Sequence, residues 1–164
     1  LQQESESGIM PFVEVNDVND INNAEGDIMK DGSVATKKVF LGGTCNESTW
    51  RDELIKKLTI DFFNPVVEDW TPECMAEEIK QRETCDIVLY VITPKMTGVY
   101  SIAEVVDDSN KRPEKTVFCF GSELDDGFDE HQIKSMKQVE KMVKENGATV
   151  CDNLQEVADF LNKQ

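Results

Sequence analysis

"DIVLYVI" (86–92) is the most apolar stretch of the chain, with a single charged residue at its start. β-branched and aromatic side chains fill it, and no alternation separates a wet face from a dry one. The pattern predicts a central strand buried on both faces, which requires parallel neighbours and helices above and below. Working outward, "KKVFLGG" (37–43), "IDFFNP" (60–65), "KTVFCFG" (115–121) and "ATVC" (148–151) read as four further strands. Helical segments separate them. Ser48 is expected to cap a helix with Trp50, Leu54, Ile55 and Leu58 on one face. "TPECMAEEIKQRE" (71–83) opens with Thr71 as N-cap and Pro72 at the first helical position. A third helix is expected from about 101 to 111. "DEHQIKSMKQVEKMVKEN" (129–146) is apolar at Ile133, Met136, Val139, Met142 and Val143 and is closed by Gly147. Asn153-x-x-Glu156 caps a last helix carrying Leu154, Val157, Ala158 and Leu161. Five strand–helix pairs with short connections predict an α/β fold, a five-stranded parallel sheet with helices on both faces.

Residues 1–36 differ in composition. They are rich in Asn, Asp, Glu and Ser, hold Phe12 as their one aromatic and sustain no period. This predicts a flexible acidic tail, with "PFVEV" (11–15) docking as a short strand. The chain starts with Leu1, and Met10 is a candidate native start. The folded domain is expected over 37–164.

Acidic residues outnumber basic ones 33 to 17, for a net charge of -16. Such a surface repels phosphate backbones and anionic lipid, which argues against a nucleic-acid groove or a membrane-surface role. No apolar run nears the ~18 residues of a membrane span, and no secretory h-region is visible. A small phosphate ligand stays compatible, since helix N-termini and a single Arg hold one against the global field. The five cysteines (Cys45, Cys74, Cys85, Cys119 and Cys151) are odd in number, no two are spaced C-x-x-C, and His131 is the one histidine. These counts argue against a zinc site and a disulfide framework and for a reducing, cytoplasmic compartment. Three of the thiols read as small core residues.

In open α/β sheets ligands bind beyond the carboxyl ends of the strands, so loops 42–48, 64–71, 93–101 and 121–128 frame the expected crevice. In "GGTCNESTWR" (42–51), Gly42 and Gly43 let backbone amides approach a ligand, while Thr44, Asn46 and Ser48 offer hydroxyl and amide contacts. An ordinary βα turn explains the same residues. The stretch is neither a Walker A loop nor a GxGxxG fingerprint, which removes support for nucleoside triphosphate and NAD readings. "FNPVVEDW" (63–70) puts Asn64, Asp69 and Trp70 at the mouth of the second strand, where the aromatic suits a stacked base or an interface. "TGVYSIAEVVDD" (97–108) reads two ways. Ser101-x-x-Glu104 fits a capping box, and a lone carboxylate behind a glycine and a tyrosine at a strand-to-helix turn fits a nucleophile. Asp107 and Asp108 continue that helix and are expected to be solvated. Glu78 and Arg82, four apart on one helix, offer each other an ion pair.

The segments "FLGGTCNESTWR", "FFNPVVEDW", "EEIKQRETCDIVLYVITP" and "GVYSIAE", in that order and spacing, resemble the nucleoside 2-deoxyribosyltransferase-like family over residues 37 to about 121. The branch most resembled often occurs in phages and bacteria. The resemblance implies a flavodoxin-like, Rossmann-like fold and cleavage of the N-glycosidic bond of a deoxynucleoside or its 5′-monophosphate. It implies Glu104 as the nucleophile that forms a covalent deoxyribosyl-enzyme, which a second base or water then releases. The chemistry parallels retaining glycosidases, where a carboxylate stabilises an oxocarbenium-like transition state before bonding to it.

The same resemblance implies Glu78, eight residues before Asp86, as the acid or base contact to the leaving base. The family usually has Asp there; adjacent Glu77 is a fallback, and Asp86 is expected to be structural. Gly42, Gly43, Thr44, Asn46 and Ser48 are the expected contacts to the sugar or its 5′ substituent, and Asn64 and Trp70 to the base. Two positions depart from the family. Phe40 replaces a tyrosine at the end of the first strand, and Gly98 replaces an Asp or Ser that orients sugar or phosphate; Thr93, Tyr100 and Ser101 are the candidates to compensate. No metal or organic cofactor is implied. A small-molecule nucleoside or nucleotide is the expected partner, together with at least one further copy of the chain. The alternative is a non-catalytic nucleotide-binding module of the same fold, which Phe40 and Gly98 favour and the pair Glu78 and Glu104 opposes.

Overall fold

A computed structural model describes residues 36–45, 47–67, 71–121, 124–125 and 127–164. Every residue of β3 (Ile87–Ile92) is buried. It pairs in parallel with β1 (Lys38–Gly43) on one side and β4 (Thr116–Phe120) on the other. β2 (Asp61–Phe63) lies outside β1 and β5 (Thr149–Val150) outside β4, giving the parallel order β2-β1-β3-β4-β5. This is the flavodoxin-like arrangement expected. The chain reverses its direction of travel across the sheet after β2, so the crevice between the carboxyl ends of β1 and β3 is the topological switch point.

Side chains alternate across the sheet and each set finds its own helices. Val39, Leu41, Ile87, Leu89 and Val91 pack with Trp50 and Leu54 of α1 (Trp50–Ile55) and with Leu154, Val157, Ala158 and Leu161 of α5 (Leu154–Leu161). Phe40, Val88, Tyr90 and Ile92 pack with Val105 of α3 (Tyr100–Lys111) and with Met136 and Val143 of α4 (Glu130–Glu145). Cys119 and Cys151 enter the first cluster and Cys85 the second. α2 (Pro72–Thr84) is different: none of its residues is fully buried, and its apolar Met75 and Ile79 are exposed. Among the described residues no helix is long and apolar enough to cross a membrane.

Local signals hold where the cap is built from neighbours in sequence. Thr71 accepts the Cys74 N–H, Asp129 and Gln132 form a reciprocal capping box, and Asn153 accepts the Glu156 N–H. Gly147, at φ 99°, donates to Lys144 while Ala148 donates to Val143, a Schellman closure of α4. Asp86 is structural: it accepts the Lys38 N–H at 2.8 Å and returns its own N–H to Lys38 at 3.0 Å, tying the starts of β1 and β3.

Two expectations and two of the alternative readings are overturned. Ser48 does not cap α1, which follows Thr49 without a side-chain cap, because the Ser48 hydroxyl donates to Asp125 at 2.9 Å. Ser101 does not cap α3, which starts at Tyr100 after Val99; the Ile102 and Ala103 N–H groups both reach the Val99 carbonyl. Asp108 is not solvated but wholly buried, because two guanidiniums and a phenol converge on it. Arg82 commits its hydrogen bonds to Glu104 and Asp108 on α3 rather than to Glu78, although its charge still acts on Glu78. The expected tail with its short strand, and the Asn46, Asp69 and Trp70 contacts, lie outside the described residues.

The exit of β1 is sterically demanding. Gly43 sits at φ 115°, and a Cβ there collides with the Val91 carbonyl oxygen, whereas a Cβ on Gly98 meets nothing within 4 Å. Gly43→Ala is therefore expected to cost about 1–3 kcal/mol, and Gly98→Ala to stay within about 1 kcal/mol of the parent. Urea denaturation of both variants measures the contrast, and equal midpoints would refute it.

Candidate active site

The floor of the crevice is a set of mutually satisfied polar groups. Thr44 donates its N–H to Val91 at 2.9 Å and accepts the Thr93 N–H at 2.9 Å, locking the ends of β1 and β3 together. The Thr93 hydroxyl donates to Ser48 (3.1 Å), and Ser48 donates to Asp125 (2.9 Å), which joins the loops after β1, β3 and β4. Lys95 completes the latch, 3.9 Å from Asp125 and 3.1 Å from the Glu47 carbonyl. Beneath the glycine loop lies the buried Arg51, donating to the carbonyls of Leu41 (3.1 Å), Gly43 (3.3 Å) and Thr44 (2.6 Å). Trp50 donates to the same Thr44 carbonyl at 2.8 Å. A guanidinium in this place satisfies carbonyls at the exit of the strand.

The wall is where α2 faces α3. Arg82 Nη1 donates to Glu104 Oε1 at 3.0 Å, and Nη2 reaches the Glu104 carbonyl at 3.4 Å. The same guanidinium grips Asp108 in a fork, Nε on Oδ2 and Nη2 on Oδ1, both at 3.0 Å. Asp108 also accepts Arg112 Nε at 3.0 Å and Nη2 at 2.7 Å, and the Tyr90 hydroxyl at 2.6 Å.

Burial sets the protonation chemistry. It pushes the Glu104 carboxyl up from its ordinary 4.5 to about 7; Arg82 pulls the other way, and the charges of Glu78 and Asp108 add to the rise. Burial also raises Glu78, against the attraction of Arg51 and Arg82. Burial lowers Arg51. For Arg82 burial is outweighed by the Asp108 hydrogen bonds and neighbouring negative charge, so it stays firmly protonated. Two carboxyl groups from facing helices, both held above their usual range, thus share one site at the switch point.

The family described as nucleoside 2-deoxyribosyltransferase like matches residues 36–123, just over half of the 164-residue chain. The chain belongs to this family. No curated protein matches it. The matched span runs from β1 through β4 and includes the glycine loop, Glu78, Arg82, Glu104 and Asp108.

Against the residues the family resemblance singled out, the structure brings Glu104 and Glu78 within electrostatic reach of each other. Glu77 faces elsewhere, accepting Gln81 at 2.6 Å and pairing with Lys80 at 3.8 Å. Gly42 and Gly43 are buried at the end of β1, and a Cβ on Gly42 would press on the Phe40 and Tyr90 rings. Thr44 and Thr93 are buried with both hydroxyls engaged, and Ser48 is half-buried in the latch. Asn64 is exposed and accepts the Val66 N–H at 3.1 Å. Gly98 and Tyr100 are exposed at the rim and Ser101 is half-buried in the first turn of α3. Phe40 is buried and stacks on Phe63, so the hydroxyl on this face of the sheet comes from Tyr90 instead.

Arg82, Asp108, Tyr90 and Arg51 were not expected at the site. A tyrosine in a strand buried on both faces must find a partner for its hydroxyl, and Asp108 follows Glu104 by one helical turn, so part of this was available in sequence.

Folding disfavours the ionised form of Glu104. Its folded pKa of about 7 exceeds the ordinary 4.5, so the native state holds this proton more tightly; the stability this contributes is complete below about pH 4.5 and is lost as pH rises through 7. Glu104→Gln escapes that loss. The variant is expected to be about 1–3 kcal/mol more stable than the parent at pH 8 and no more stable at pH 4. Denaturation at the two pH values checks this, and a pH-independent difference would count against it.

Proposed function

We propose that the protein breaks the N-glycosidic bond of a deoxynucleoside or its 5′-monophosphate through a covalent deoxyribosyl-Glu104. The observation that carries this reading is the pair Glu104 and Glu78, two half-buried carboxyl groups on facing helices at the sheet's switch point, in a chain of this family. A Glu104 oxygen attacks C1′ while the electron pair of the C1′–N bond leaves with the base, and Glu78 supplies the proton that base takes up. Water or a second base then attacks C1′, the ester bond returns its electrons to Glu104, and the incoming nucleophile gives up a proton to Glu78. The glycine loop with Asn46 holds the sugar or its 5′ substituent, Thr44 and Ser48 brace that loop through Thr93 and Asp125, and Asn64 and Trp70 take the base. At least a dimer is part of the reading, supported by the exposed Met75 and Ile79 one turn apart on α2. A concentration-independent monomer in solution scattering refutes that part.

Intact-mass spectrometry after incubation with deoxynucleosides and their 5′-monophosphates, with base release read in parallel, tests the chemistry. A deoxyribosyl adduct or free base is expected from the parent, with turnover reduced by roughly 10^3-fold or more in Glu104→Gln. The acidic limb of kcat/KM is expected near pH 7, where Glu104 ionises.

Phe40, without a hydroxyl, and the open space at Gly98 favour a second reading, capture of a nucleotide without turnover. Thermal stabilisation by a nucleotide that yields neither adduct nor base would establish it. Gly98→Asp separates the two further, because the site accepts a side chain without a clash. In the catalytic reading it is expected to raise kcat/KM several-fold, about 1 kcal/mol of transition-state binding; unchanged base release would remove Gly98 from the account.

A further inference from the structure

Glu104 is held by one oxygen. Arg82 Nη1 donates to Oε1, and the same guanidinium has its Nε and Nη2 committed to Asp108. Asp108 is in turn fixed by the Tyr90 hydroxyl from β3 and by Arg112 from the end of α3. Arg82 therefore cannot swing without breaking a two-pronged ion pair inside the protein, where Asp108 has no water to replace it. Charge is balanced across the cluster only when Glu104 is an anion, since two guanidiniums then face two carboxylates. The side chains of Arg82 and Glu104 are only 16% and 13% exposed, so little solvent screens the contact.

We infer that Arg82, anchored by Asp108, Tyr90 and Arg112, is a positioning residue that pins Glu104 Oε1 and leaves Oε2 as the oxygen that attacks the sugar. The inference rests on the reading of Glu104 as nucleophile. It assigns Arg82 an effect on each half of the reaction. The hydrogen bond orients the carboxylate and keeps it ionised, which favours attack. Once Oε2 is esterified the guanidinium faces a neutral group, and it stabilises the carboxylate that re-forms as the C1′–O bond breaks, which favours release. A bare positive charge supplies the electrostatic part of this; only the planar fork, with separate donors for Asp108 and Glu104, supplies the orientation. The charged groups acting on Glu104 are Arg82 and Glu78 from α2 and Asp108 from its own helix, with the Tyr90 phenol behind Asp108.

The test uses the full chain and two variants. Arg82→Gln removes charge and fork, and Arg82→Lys keeps a charge against Asp108 while removing the fork; circular dichroism checks that each variant is folded before it is titrated. Carbon-13 labelling of glutamate carboxyls, with Glu104 assigned from Glu104→Gln, follows the Glu104 titration without substrate. Arg82→Gln is expected to raise its midpoint by roughly one pH unit or more. Arg82→Lys is expected to leave that midpoint near the parent's yet lower kcat of base release roughly tenfold or more with KM little changed. An Arg82→Lys enzyme with the parent's kcat overturns the positioning role and leaves only charge; a Glu104 midpoint that ignores Arg82→Gln overturns both. If no deoxynucleoside or 5′-monophosphate is cleaved by the parent, the catalytic reading falls on its own. The titration still decides whether Arg82 controls Glu104.

Discussion

The carboxylate of Asp108 has no exposure to solvent, and the candidate site is assembled around it. A buried charge is tolerated only when its hydrogen-bonding capacity is filled, and here Arg82, Arg112 and Tyr90 fill it. These partners come from α2, the end of α3 and the central strand, so one anion fixes how three elements meet. A buried ion pair is a poor source of net stability, since apolar residues of similar size often do as well. What an apolar replacement does not provide is a guanidinium with a free edge aimed at Glu104. The cluster makes better sense as a geometric device than as a stabilising one.

α2 carries the consequence. A surface helix normally turns its apolar stripe to the core; α2 instead leaves Met75 and Ile79 exposed and directs Glu78, Gln81 and Arg82 to partly buried positions. Its stability comes from the Thr71 cap, Pro72 in the first turn, and polar links to neighbours such as the bond from Lys38 to Gln81 at 2.9 Å. A helix held by polar contacts is costly in a core but suits a crevice wall, which must present charge to one side.

How much of this was legible in sequence follows from the range of the interactions involved. β1, β3 and β4 were readable because burial on both faces leaves a near-continuous apolar run, while β2 and β5, at the sheet edges and less buried, were placed by the segments around them. Thr71, Asp129 and Asn153 each close their caps within three or four residues, and Asp129 and Asn153 do so reciprocally. Ser48 and Ser101 carry the same local signature and fail. The Ser48 hydroxyl is drawn to Asp125, 77 residues away, and the Glu104 carboxylate to Arg82, 22 residues away. Glu78 and Arg82 satisfy the helical spacing for an ion pair, but Asp108 offers Arg82 a desolvated two-pronged partner that a half-exposed neighbour on the same helix cannot match. The family resemblance singled out Glu104 but not the residues that hold it, because Arg82 and Asp108 lie on separate helices that only the fold brings together.

The opposition of burial and Arg82 at Glu104 bears on the proposed chemistry directly. Burial penalises the carboxylate and not its neutral ester, and even with Arg82 pulling the other way the carboxyl is held at about 7. Relative to an ordinary carboxylate, the balance destabilises the anion. In the proposed reaction part of that free energy would be recovered when Glu104 bonds to C1′, so the same burial that delays ionisation would favour the covalent intermediate. Without Arg82 the imbalance would be larger, and the ester would become a trap from which water or a second base frees the enzyme slowly. With a fully solvated carboxylate the intermediate would lose that advantage. In the proposed reaction, a half-buried Glu104 with one oxygen on a fixed guanidinium sits between these limits, as forming and then breaking the same C1′–O bond would require.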